Sequence, residues 1–226
     1  MTMREQHKNY LAKMGIQTWS SRAPASIAIA ETPTSLGISA NISHWDDLKQ
    51  QVSSCQLCPL AQTRIQAVFG VGNERAKLMI IGEAPGFYED QQGEPFVGRA
   101  GQLLNQMLRA IGLNREEVFI ANVLKCRPPE NRDPLPQEIR TCTQYLTQQI
   151  QYIKPTLIVA VGRIAGQYLL GTSLSMRELR KQPHDYQGIP LMITYHPAYL
   201  LRSPKDKMAA YQDLLKVKAH LQVRWV

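Results

Sequence analysis

Apolar residues follow two rhythms along this chain. Short apolar runs at residues 77–81, 118–123, 156–161 and 191–194 are bounded by turn-forming residues, the pattern of strands buried on both faces. Between them, apolar positions recur every three or four residues, as on one face of a helix. Trp45, Leu48 and Val52 form one such set, with Ser43 placed to cap it. Leu103, Leu104, Met107, Leu108 and Ile111 form a second, on a helix expected from about Arg99. Ile139, Cys142, Leu146, Ile150 and Ile153 form a third, with Pro136 suited to its first turn. Further helices are expected around 162–170 and 204–220. Strands and helices alternating at this spacing predict an α/β fold, with a four-stranded parallel sheet covered on both faces. That arrangement brings the loops 82–98, 122–133 and 195–203 to one edge, where ligands collect in such sheets.

The pattern fails at the N-terminus. Residues 18–40 are dominated by Ser, Thr, Ala, Pro and Gly without sustained periodicity, although 4–14 fits a short helix. The expected organisation is a flexible tail over 1–43 and one domain over 44–226. With 226 residues and 44% hydrophobic content, the chain can bury one sizeable core. No apolar run approaches the ~20 residues of a membrane span, and no signal-peptide block opens the chain. A cytoplasmic monomer without membrane contact is the expectation.

Charge adds a direction. Residues 1–119 balance 11 Lys and Arg against 11 Asp and Glu, whereas residues 120–226 carry 15 against 7 and hold the whole net charge of +8. A basic half beside a neutral half suits a polyanionic partner.

The first strand runs into Gly82-Glu83-Ala84-Pro85-Gly86-Phe87-Tyr88-Glu89-Asp90. Acidic and aromatic side chains dominate this loop, and no Lys-Ser/Thr pair follows its glycines, so a nucleotide-triphosphate cradle is excluded. The pocket is expected to face something flat and polar.

Cys55 and Cys58 form a close pair followed by Pro59, while Cys126 and Cys142 stand apart, with 67 and 15 residues in the intervening gaps. Disulfides are not expected in a reducing compartment, so a metal site is the better reading. Spacing alone leaves zinc and an iron–sulfur cluster both open. Either would staple the entry segment to the 126–142 loop.

From about residue 50 onward, three blocks resemble the family 4, iron–sulfur uracil-DNA glycosylases of the uracil-DNA glycosylase superfamily. The blocks are GEAPGFYED with PFVGRAGQLL (82–90, 95–104), ANVLKCRPPENRDP (121–134) and HPAYLLR (196–202). The cysteine pattern is a fourth. The resemblance implies a three-layer α/β/α sandwich, a 4Fe-4S cluster on Cys55, Cys58, Cys126 and Cys142, and hydrolytic removal of uracil from DNA. Phe87 and Tyr88 depart from the polar or acidic residues common at these positions. A related branch that becomes trapped on uracil-DNA carries a basic, His-containing insertion after the second block. This chain lacks it, so turnover is expected.

By the same resemblance Phe96 stacks on the extruded base, Asn122 reads its edge, and His196 donates toward uracil O2, with backbone amides around Ala84 assisting. Glu83 is the first choice for positioning water or stabilising the cationic sugar; Glu89 and Asp90 are alternatives for water or for holding the loop. Bulk against thymine is expected from Tyr88 or another loop residue. Lys125, Arg127, Arg132, Arg202, Ser203, Lys205 and Lys207 are expected along the DNA, with Leu200 or Leu201 as a wedge. No motif places a Schiff-base lysine, so lyase chemistry is not expected. A non-catalytic, metal-stapled DNA-binding module shares the basic surface and the cysteines but does not need Glu83, Asn122 and His196 together. A small-molecule hydrolase accounts for the pocket but not for the charge bias or the thiols.

Overall fold

The computed structural model describes residues 45–222. The expected tail, its short helix and the Ser43 cap lie outside the described residues. The described residues form six strands: β1 (Val71–Gly72), β2 (Leu78–Gly82), β3 (Phe119–Asn122), β4 (Leu157–Val161), β5 (His184–Tyr186) and β6 (Ile189–Thr194). Nine α-helices are described: α1 (Trp45–Ser53), α2 (Leu60–Thr63), α3 (Phe87–Gln92), α4 (Arg99–Arg109), α5 (Pro136–Ile153), α6 (Arg163–Leu170), α7 (Met176–Leu179), α8 (Pro197–Arg202) and α9 (Lys207–Leu221).

The sheet order is β1-β3-β2-β4-β6-β5. The four expected strands are its parallel centre, but the sheet is mixed and six-stranded, because an antiparallel edge strand closes each side. These edges escape sequence patterning for physical reasons. β1 has two residues, and β5 carries the polar, partly exposed His184-Asp185-Tyr186. What makes β5 is its turn: Gln187 and Gly188 have φ of 53° and 86°, the two left-handed positions that tighten a two-residue hairpin.

Alternation along the strands divides the core in two. Met79, Ile81, Phe119, Ala121, Ile158 and Ala160 pack against α1, α5 and α6; Leu78, Ile80, Ile120, Leu157 and Val159 pack against α4 and α9. Two helical layers therefore sandwich the sheet. Among the described residues, no helix is long and apolar enough to cross a membrane.

The chain passes from β2 to its neighbour β3, then back across to β4 on the other side. The crevice opens at that reversal, beyond the carboxyl ends of the strands. Backbone bonds beyond the strands fix its floor: Val123 N donates to Gly82 O at 3.0 Å, Leu124 N to Glu83 O at 3.0 Å and Gly162 N to Thr194 O at 2.8 Å. Thr194 is held from below as well. Its hydroxyl donates to the buried Asp213 carboxylate at 2.9 Å, which also takes the Arg180 Nε–H at 2.7 Å.

Candidate active site

A cavity of about 480 Å³ lies at this edge and is lined by Glu83, Ala84, Phe96, Asn122, His196 and Arg202, among others. Three loops far apart in sequence thus converge on one space. Asn122 is the last residue of β3, Glu83 follows β2, and His196 follows β6 by two residues.

Ring and amide meet at Gly82. A Cβ there would sit 2.3 Å from Asn122 Oδ1 and 2.7 Å from Phe96 Cζ, so only a bare backbone lets ring and amide meet. Phe96 itself takes φ of 55°, an unfavourable conformation that must be held by its surroundings. Arg115 does so by donating to the carbonyls of both Pro95 and Phe96, and Gly101 admits the Phe96 carbonyl where a Cβ would lie 1.7 Å away. Asn122 is 2% exposed, and its Oδ1 finds no hydrogen-bond partner among the described residues. A buried, unsatisfied acceptor costs about 1–3 kcal/mol, which a ligand N–H would recover.

His196 caps α8: its Nδ1 accepts the Ala198 N–H at 3.1 Å. An accepting Nδ1 places the proton on Nε2. Burial, aided by the charge of Arg202, lowers its pKa to about 4, so the imidazole is neutral at physiological pH. Its ring lies 5.6 Å from the Phe96 ring, and Gly162 gives it room, since a Cβ there would approach the His196 Cβ to 3.2 Å.

Glu83 is pushed the opposite way. Burial first, then repulsion from Asp133, raises its carboxyl to about 7 against the opposing pull of Arg163. The other two carboxylates are engaged in holding the loop. Glu89 accepts the amides of Gly86, Val97 and Gly98 at 3.1, 2.9 and 3.1 Å, and the buried Asp90 accepts the Ile65 amide at 3.0 Å.

The profile of the uracil DNA glycosylase superfamily matches residues 69–217. The type-4 uracil-DNA glycosylase of Archaeoglobus fulgidus is 43% identical over 180 residues, covering 76% of this chain and 90% of its own. That of Thermotoga maritima is 41% identical over 77% of this chain and 93% of its own. A type-5 uracil-DNA glycosylase from Pyrobaculum aerophilum is more distant, 27% identical over 57% of this chain and 64% of its own. The chain belongs to the type-4 uracil-DNA glycosylases.

Around this glycosylase cavity the remaining expected residues divide. Lys125 is not a surface contact. It is 1% exposed and donates from Nζ to Asn122 O at 2.8 Å and to Gln149 Oε1 at 2.6 Å, so it braces the end of β3 from inside. Leu200 is buried in the core, whereas Leu201 is exposed. Arg202, Lys205 and Lys207 are exposed, and Ser203 is half-buried at the end of α8. Arg132 lines the cavity but is paired with the buried Glu138 through two bonds of 2.6 and 2.9 Å. Tyr88 is not part of the cavity lining; its ring covers Gly98.

Several residues of the glycosylase site carried no separate signal. Asp133 lies inside the NRDP block and Tyr199 inside HPAYLLR, yet only folding shows that one tunes Glu83 and the other lines the cavity. Arg115 and Arg163 sit outside the blocks and act through long-range contacts.

The four cysteines are free, with Cys126 and Cys142 buried and Cys55 and Cys58 half-buried. Burial pushes the Cys126 thiol up, with Cys58 and Cys55 adding to the effect, and pushes Cys142 up to about 12, with Cys126 and Cys58 adding. N–H groups point at two of them: Arg64 Nη1 lies 2.8 Å from Cys126 Sγ, and Lys125 N lies 3.2 Å from Cys142 Sγ. Among the described residues, no three or more His, Cys, Asp or Glu side chains form a metal-ion site.

The raised Glu83 carboxyl has a consequence for stability. With a folded pKa near 7 against an ordinary 4.5, the folded state holds its proton longer, so this contribution is present below pH 4.5 and lost as pH rises through 7. Glu83→Gln is therefore expected to raise the denaturant midpoint at pH 8 and leave it unchanged at pH 4, measured by chemical unfolding at both values.

Proposed function

We infer that the chain excises uracil from DNA by hydrolysing its N-glycosidic bond, leaving free uracil and an abasic site for repair. The observation that carries this reading is the joint placement of Phe96, Asn122 and His196 on one cavity, with an unsatisfied amide oxygen in it. A stacked uracil is out of reach, so it must leave the helix at a cost of roughly a few kcal/mol. Stacking on Phe96 offsets about 1–3 kcal/mol of that. Asn122 Oδ1 takes the uracil N3–H, and its amide N–H faces O4. Cytosine presents the opposite groups and leaves buried polar atoms unpaired, which is a strong basis for rejection.

As the bond breaks, its electron pair passes to the uracil ring and positive charge develops on the sugar. The His196 Nε2–H donates to O2, where negative charge grows. A neutral imidazole is a weak acid, so it stabilises the anion without protonating it. Fixed donors of this kind are worth about 10²–10³ in rate. Glu83, in its carboxylate form, faces the cationic sugar and takes a proton from the water that attacks C1′. A pKa near 7 suits that base function at neutral pH. Leu201 fills the vacated stack, while Arg202, Ser203 and Lys205 contact the phosphates on either side, with Arg127 adding charge at the rim.

The cysteines fit a 4Fe-4S cluster. Buried thiols with raised pKa values become thiolates only when a cation takes over their charge, and the Arg64 and Lys125 N–H groups already point at two of the sulfurs. Cys55, Cys58, Cys126 and Cys142 would hold the cluster, and it would cross-link the α1–α2 entry segment to the loop after β3 and to α5.

Two results test this reading. With uracil-containing oligonucleotide followed by alkali, the native chain is expected to give strand scission at uracil, while Asn122→Ala and His196→Ala lower turnover by about 10²–10³ and DNA affinity far less. Equal losses of both would contradict the assigned roles. Cys58→Ser is expected to remove any brown absorbance and lower the melting temperature; a colourless, zinc-loaded native protein would contradict the cluster.

A further inference from the structure

Phe87 and Tyr88, the two aromatics that depart from the family pattern, have no part in the catalytic account above. They open α3 immediately after Gly86, which lines the cavity. Phe87 is 45% exposed and Tyr88 56%, with their rings edge to face at 5.5 Å. Neither belongs to the two core clusters. Tyr88 packs over Gly98 and meets Phe87 edge to face, while Phe87 stays nearly half exposed beside the Arg127 guanidinium.

The Arg127 guanidinium lies over Phe87, 5.0 Å from the ring centroid. Its Nε donates to Asn131 Oδ1 at 2.8 Å, and Asn131 lines the cavity. The aromatic–cation pair is thus tied to the rim through Gly86 on one side and Asn131 on the other. The base of α3 is fixed in turn by the three amides that Glu89 accepts. Among the described residues no carboxylate pairs with Arg127, so its charge is available to an anionic partner.

Resting on the uracil-excision reading, we propose that Phe87, backed by Arg127, is a stacking platform for the base next to the extruded uracil on the same strand. Extrusion unstacks one face of each neighbouring base, and a single leucine wedge covers only one of them. A rigid exposed ring at the cavity rim offers the other face a replacement, and the adjoining guanidinium meets the phosphate between the two nucleotides. Stacking of this kind tolerates any base, because each has a π-face. It also requires the neighbour to be unpaired or locally opened, so the platform works best on single strands.

The test uses single-stranded oligonucleotides carrying a non-hydrolysable 2′-fluoro deoxyuridine, with either both neighbours present or an abasic spacer replacing the 5′ or the 3′ neighbour. Binding is read by fluorescence anisotropy. Phe87→Ala is expected to weaken binding to the complete strand about tenfold, and Phe87→Trp to preserve it. Removing the neighbour on one side is expected to weaken binding by the native chain to a similar extent, but to add little for Phe87→Ala, the signature of two groups that touch each other. If both spacers weaken Phe87→Ala as much as they weaken the native chain, the platform is overturned. Uracil excision by the native chain, run alongside, separates the two readings. Excision without coupling refutes the platform alone; no excision by folded, cluster-loaded protein refutes the catalytic reading and the platform with it.

Discussion

The site depends on one close approach, the meeting of Phe96 and Asn122 over the bare backbone of Gly82. The Asn122 amide oxygen and the edge of the Phe96 ring occupy the space that any side chain at 82 would claim. The geometry is enforced from several sides. Parallel pairing of Gly82 with Asn122 fixes the strands, Lys125 holds the Asn122 carbonyl from within, and Arg115 with Gly101 holds Phe96 at its unfavourable φ. Strain and desolvation gathered at one point mark places where structure serves a ligand rather than the fold.

Electrostatics follows from the same enclosure. Burial acts on two groups of opposite type and moves both toward their neutral forms, His196 down to about 4 and Glu83 up to about 7. The difference in degree matters. The imidazole stays neutral across the physiological range and can act as a fixed donor, while the carboxyl is poised to gain or lose a proton near neutrality. Separated roles for two titratable groups arise here from one shared cavity.

Much of this was legible in the sequence. The four parallel strands read directly as apolar runs, because both faces of each are buried. Helices α4 and α5 read from their apolar stripes. The edge strands did not, being short, polar and dependent on a turn with two left-handed residues. At the cavity, the family resemblance named Glu83, Phe96, Asn122 and His196 because they sit in compact motifs, three of them at or just after strand ends and Phe96 in the loop before α4. Lys125 was misread because its charge and its place in a basic stretch look the same on paper whether the side chain points out or in. Its buried bonds to Asn122 and Gln149 arise from contacts across the fold. Asp133 and Arg163, which tune Glu83, were hidden for the same reason. The roles of Glu89 and Asp90 separated only when their backbone partners were visible.

The amide oxygen of Asn122 waiting for an N–H donor is the claim most open to direct measurement. Calorimetric titration of the native chain with uracil, 3-methyluracil and cytosine as free bases addresses that one atom. Uracil is expected to bind, and 3-methyluracil, which carries a methyl group in place of the N3 proton, is expected to show no detectable binding, as is cytosine, which has no N3 proton to offer. Equal affinity for uracil and 3-methyluracil would contradict the reading of the cavity.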